Sequence, residues 1–166
     1  MTSGVMLPPE LAGLLTTLGF NWPLSDEGKL FDLAGQWSSF ADRLGPAAAE
    51  ADGHAQQVLG ANSGAAVEKF GAFWSDGEAP KQNLDDGATA ATLIGTGLYV
   101  CAGVVVALKI AVVVQLTMLA VEIAQAIATA VPTAGASLLE IPVFKKITDM
   151  LLDLALDQAI NAVLNG

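Results

Sequence analysis

The chain has 166 residues, of which 53% are hydrophobic and 14% charged, with a net charge of −10 and seven Lys and Arg in all. That is long enough for one domain with a real core, but too poor in cations to track a nucleic-acid backbone or to form a polybasic anchor on anionic lipid. A single cysteine, Cys101, excludes an intrachain disulfide, and one Cys with one His (His54) does not make a metal cluster.

Met1 to Glu10 lacks a basic segment followed by an apolar one, so no secretory signal peptide is expected. Pro8-Pro9-Glu10 predicts the start of a short helix over 8–18, with Leu11, Leu14, Leu15 and Leu18 on one side and Gly19 as its stop. The loop Gly19-Phe20-Asn21-Trp22-Pro23 follows, where Pro23 holds Trp22 extended. Its ring is expected to pin the loop to a helix pair.

Ser25 or Asp26 caps the next helix, predicted over 26–59. Leu30, Leu33, Ala34, Trp37, Phe40, Ala41 and Leu44 recur at i, i+3, i+4, i+7, and the stripe fades through Ala48, Ala55 and Leu59. Pro46 predicts a kink after Leu44. Gly60 to Gly64 is a turn short enough to make its two helices antiparallel neighbours. The second arm is predicted over 63–131 and opens on Ala66, Val67, Phe70, Phe73 and Trp74. Asp76-Gly77-Glu78-Ala79-Pro80 leaves a break near 76–80 as an open alternative.

From Ala88 to Val131 the only charges are Lys109 and Glu122, and Ala88 to Leu108 has none. A run of that kind approaches the ~20 residues needed to cross a bilayer. Three ways of hiding it stay open: under the chain's own helices, against a partner, or in lipid. Gln115, Glu122, Gln125 and Thr129 fall on one narrow helical face, with Val112, Leu116, Leu119, Ile123 and Ile127 around the rest. This pattern predicts a helix mostly surrounded by protein, with a thin wet stripe. Thr92, Gly95, Thr96, Tyr99 and Gly103 gather on another side, where small residues let a second helix approach closely.

Pro132 to Ser137 is a linker. The last helix is predicted over 142–164, with Val143, Ile147, Met150, Leu151 and Leu154 as its stripe and Asp149, Asp153 and Asp157 as an acidic edge. No strand is expected. The predicted fold is all-α: an antiparallel helical hairpin extended by a long apolar helix and a C-terminal amphipathic helix, forming an elongated helical bundle in a single domain.

No constellation for catalysis emerges. His54 stands alone on an Ala/Gln-rich helix, with no carboxylate or nucleophile placed to orient it. Asp26-Glu27 reads as charge at a helix start, and Asp85-Asp86 as solvated loop. Gly95 and Gly97 do not follow a strand and form no nucleotide fingerprint. No catalytic, cofactor or metal site is expected, and the chain is read as not an enzyme.

Asn21-Trp22-Pro23, Asp26-Glu27, Leu30, Leu33-Ala34, Trp37, Phe40-Ala41 and Leu44 come in order, followed by Gly60 to Gly64, Ala66, Phe70 and Trp74. This stretch resembles the WXG-like N-terminal domains of actinobacterial polymorphic toxins, a family that includes the N-terminal domain of a mycobacterial channel/NAD-glycohydrolase toxin. The resemblance implies a non-enzymatic helical hairpin that targets a secreted toxin or effector to a type VII (ESX-like) secretion system. It implies export without a signal peptide, from the cytoplasm to the medium or the cell surface. It also implies the secretion machinery and a small helical WXG-type partner, or a second copy, as binding partners, with no nucleic acid. Trp22, Leu30, Leu33, Trp37, Phe40, Leu44, Phe70, Phe73 and Trp74 are then the residues for hairpin and partner packing. Two features depart from the pattern. The Gly60–Gly64 turn lacks Trp-Xaa-Gly, and Tyr99 is followed four residues later by Gly103 where an export signal has an acid. Trp74 and Glu78 have the spacing of such a signal. The alternative function is a membrane-inserting channel or translocation segment built on 88–131.

Overall fold

Five helices form where caps and breakers place them, in a computed structural model that describes residues 4–165. They are α1 (Pro9–Thr17), α2 (Glu27–Ala61), α3 (Ala65–Trp74), α4 (Pro80–Ala128) and α5 (Ile141–Asn165), with a 3₁₀ turn at Ala136–Glu140 before α5. No strand occurs among the described residues, and the fold is an all-α bundle.

Gly19 ends α1 at φ +84°, a conformation that an L side chain resists. The Phe20 N–H donates to Leu15 O and the Gly19 N–H to Thr16 O, the paired bonds of a Schellman cap. Asp26 caps α2 by accepting the Lys29 N–H at 3.0 Å, and that bond holds its carboxyl below the usual range. The α2 helix continues through Pro46. Gly64, at φ +110°, sets the start of α3 at Ala65. The second arm stops at Trp74 and resumes at Pro80, so Ser75–Ala79 separates two helices.

The chain divides into two compact units, one made of Leu30–Tyr99 and the other of Met1–Lys29 with Val100–Gly166. In the Leu30–Tyr99 unit, the buried line of α2 is alanine at every seventh residue: Ala34, Ala41, Ala48 and Ala55. Small side chains let a neighbouring helix close in. Against this line, a Cβ added to Gly95 of α4 would lie 2.9 Å from Ser38 Oγ and 3.2 Å from the Ala34 carbonyl oxygen. Larger residues flank the seam rather than fill it. Phe31 and Tyr99 pack with ring centroids 6.0 Å apart, and Trp37 meets Phe40 edge to face. Gly103, grouped with Gly95 by the helical projection, has open space around its would-be Cβ.

In the other unit, Leu11 and Leu15 of α1, Val112 and Leu116 of α4, and Leu152 of α5 form the core, with Phe20 and Trp22 packed against it. Burying each such leucine contributes roughly 1.5–3 kcal/mol. Ser137 Oγ donates to the Ala126 carbonyl at 2.7 Å and fastens the 3₁₀ turn to the end of α4.

The expectation that α4 is mostly surrounded by protein needs correction. Only 22% of its most apolar 18-residue stretch is buried. The polar stripe marks the solvent side only in part: Gln125 and Thr129 are exposed, but Gln115 and Glu122 are half-buried while Ile110, Val114, Met118 and Val121 face outward. Lys109 lies on the covered face. Its charge points inward, and the face bearing Lys109, Val112, Leu116 and Leu119 turns in with it.

Candidate partner-binding site

Lys109 has the deepest polar contact described in the molecule. Its ammonium donates to Glu27 Oε2 at 2.6 Å and to the Ser25 carbonyl at 2.7 Å, and lies 5.7 Å from the centre of the Trp22 ring. The second oxygen of Glu27 accepts the Val5 N–H. Lys109 is 4% exposed and Glu27 2%. Lys109, and after it the backbone N–H groups of Glu27 and Val5, hold the Glu27 carboxyl below the usual glutamate range, against the upward push of burial. Gly4 stands directly over this carboxylate, where a Cβ would come within 3.0 Å of Oε1. The cluster pairs each ion with the other. It works as a clasp, joining the segment before α1, the Trp22 loop and the start of α2 to the middle of α4.

Sequence reasoning missed this pair. Glu27 was read as helix-start charge, and Lys109 lies 82 positions away. The available signal was Lys109 itself, since a lone cation in a charge-free run that packs into protein needs an anion.

The nine packing residues do not form one cluster. Trp22 belongs with Lys109 and the α1/α4/α5 core, whereas the other eight lie in the Leu30–Tyr99 unit. Of those eight, Leu30, Trp37, Leu44, Phe70 and Trp74 are half-buried, and Leu33, Phe40 and Phe73 are exposed. Trp74 Nε1 donates to Asp52 Oδ1 at 2.9 Å and the Trp74 ring stacks near Phe70, which fixes α3 to the second half of α2. The spaced pair Trp74 and Glu78 straddles the end of α3, and Asp76 Oδ1 accepts the Glu78 N–H, so the two do not lie on successive turns of one helix.

Elsewhere the exposed surface is strongly apolar. On α5, Val143, Ile147, Met150 and Leu154 face outward at i, i+4, i+7, i+11. Between α4 and α5, a groove of about 280 Å³ is lined by Val104, Val105, Leu108, Leu156, Ile160 and Val163, with no polar surface. No group of three or more His, Cys, Asp or Glu is arranged to hold a metal among the described residues. His54 is exposed beside Glu50. Surfaces of this kind bind other apolar surfaces.

The profile of the WXG100 like domain matches residues 6–148, from before α1 into α5. The chain belongs to the WXG100-like domain family. This WXG100-like domain is accordingly a helical protein related to type VII secretion, a family whose members typically work as paired helical hairpins or homodimers. No curated protein and no solved structure matches it.

Proposed function

We propose that this WXG100-like domain is a non-enzymatic targeting and partner-binding module of a type VII secreted toxin or effector, held in the cytoplasm until export and leaving without a signal peptide. The observation that carries this reading is the uncharged, outward apolar face of α4, on a domain whose buried Glu27–Lys109 ion pair is spent on internal fastening. Leu33, Phe40 and Phe73 add exposed apolar contacts in the hairpin unit. Patches of this extent on a soluble protein mark sites that another protein covers. A reporter fused after Gly166 tests the reading in cells with and without an intact type VII system. The fusion is expected in the medium only when the system is intact. Equal export from both cells, or retention in both, contradicts it.

One observation favours a second reading. The α4 helix is long and apolar enough to cross a membrane, so residues 88–131 could serve as a translocation segment. Insertion would carry Lys109 into hydrocarbon or pull it from Glu27, either of which is costly.

A further inference from the structure

Between α1, the loop after it, α4 and α5 lies a cavity of about 320 Å³, walled by Leu15, Phe20, Pro23, Val112 and Leu152. It shares Leu108 and Leu156 with the apolar groove between α4 and α5, so the two spaces have a common wall. Both lie within the unit formed by Met1–Lys29 and Val100–Gly166. The proposed function uses neither, since Ile110, Val114, Met118 and Val121 on the outward face of α4 line neither space. The two ends differ in chemistry. Among the described residues lining the cavity, Asn21 alone has a polar side chain. The groove has no polar surface, and its α5 wall is half covered: Leu156, Ile160 and Val163 are 40%, 48% and 48% exposed.

We infer that cavity and groove together hold one uncharged single-chain lipid, its head at Asn21 and its chain between α4 and α5. Size selects the chain. The cavity alone falls within the range of about 300–1,000 Å³ usual for small-molecule pockets. From Leu152 to Val163 the α5 wall runs about 16 Å, the length of an extended alkyl chain of about a dozen carbons. A partner helix of that length, about 10 Å across, would displace roughly 1,250 Å³, several times either space. A helix therefore rests on the rim, whereas an alkyl chain enters. Charge selects the head. No Lys, Arg, His, Asp or Glu lines either space among the described residues, and Lys109, next to Leu108, is committed to Glu27. An ionised head would be desolvated there without a counter-ion, and an anion would also meet a chain with 17 acidic and seven basic residues. Hydroxyl and ester groups suit the Asn21 amide, which both donates and accepts.

The inference does not depend on export and stands or falls on binding alone. The test uses the full chain with 1-monooctanoyl-, 1-monolauroyl- and 1-monopalmitoylglycerol, each below its aggregation concentration, in equilibrium dialysis. Native mass spectrometry at saturation is expected to show one lipid per chain. Affinity is expected to rise by up to about fourfold per CH₂ from octanoyl to lauroyl and then to flatten, because a longer chain runs past Leu164 into water. Partition into a bilayer or an aggregate would keep rising. Dodecanoate at about pH 8, where it is ionised, is expected to bind at least about tenfold more weakly than monolauroylglycerol. Ile160→Glu sets a charge beside the chain and Asn21→Leu removes the partner of the head. Both positions are exposed, and each variant is expected to weaken monolauroylglycerol binding at least about fivefold with helicity unchanged, whereas Ile160→Leu preserves it. No saturable binding, several lipids per chain, an equally steep rise from lauroyl to palmitoyl, dodecanoate bound as tightly, or either weakening variant binding as wild type overturns the proposal.

Discussion

Glu27 is the first residue of α2, where an acid ordinarily needs no partner beyond the helix dipole. Here it is buried with Lys109, and each ion depends on the other. Glu27→Gln leaves a buried ammonium without its anion and is expected to destabilise by roughly 3–5 kcal/mol, read from urea unfolding. Glu27→Gln combined with Lys109→Met removes both charges and is expected to recover most of that loss, because a well-packed apolar pair can replace a buried ion pair. The pH dependence follows from the depressed pKa of Glu27. Its stabilisation is present above the unfolded-state glutamate value and is lost as pH falls through the lower folded-state value. Wild type should therefore lose stability more steeply in acid than the double variant does. Ala134 is a second residue-scale case. It holds φ +50° in the turn after α4, a conformation that costs an L residue about 1–2 kcal/mol. After allowing for the greater freedom of glycine when unfolded, Ala134→Gly is expected to raise stability by about 0.5–1 kcal/mol. Neither feature was legible beforehand: one depends on a contact across 82 positions, the other on a turn whose shape only the folded chain fixes.

At the scale of elements, the helices were legible because their punctuation is local. Gly19, Asp26, Gly60–Gly64 and Pro80 each act through their own backbone, and helix ends fall within a few residues of them. The faces were less so. The α2 stripe was read with Ala34, Ala41, Ala48 and Ala55 among its members, but its packing residues were taken from the large ones, whereas the buried line is those four alanines. Hydrophobic size points to the stripe, but close packing places the smallest members at its centre. The α4 rotation was misjudged in part: Gln125 and Thr129 of the polar stripe are exposed, but Gln115 and Glu122 are half-buried, and Lys109 turns inward to Glu27 together with Val112, Leu116 and Leu119. A pair of glycine variants tests the close approach. Gly95→Ala would press a methyl against the Ala34 carbonyl and Ser38, which outweighs the gain in helix propensity, and is expected to destabilise by about 1–3 kcal/mol. Gly97→Ala, two residues on with open space around it, is expected to stabilise by up to about 1 kcal/mol. Thermal melts of the two variants should move in opposite directions.

At the scale of the whole molecule, the resemblance carried by Asn21 to Trp74 and the family match over 6–148 agree on a WXG100-like helical domain. The candidate site was legible only in part. The apolar character of 88–131 could be read directly, but which third of α4 is covered depends on α1, α5 and the Glu27 clasp. The account turns on what covers the rest of that helix. Flotation of the purified chain with anionic and neutral vesicles, without detergent, asks this most directly. The chain is expected to stay at the bottom of the gradient with both kinds of vesicle, Lys109 still paired and α4 held against protein. A chain that rises with the vesicles, with residues 88–131 protected from protease by the bilayer, would contradict it.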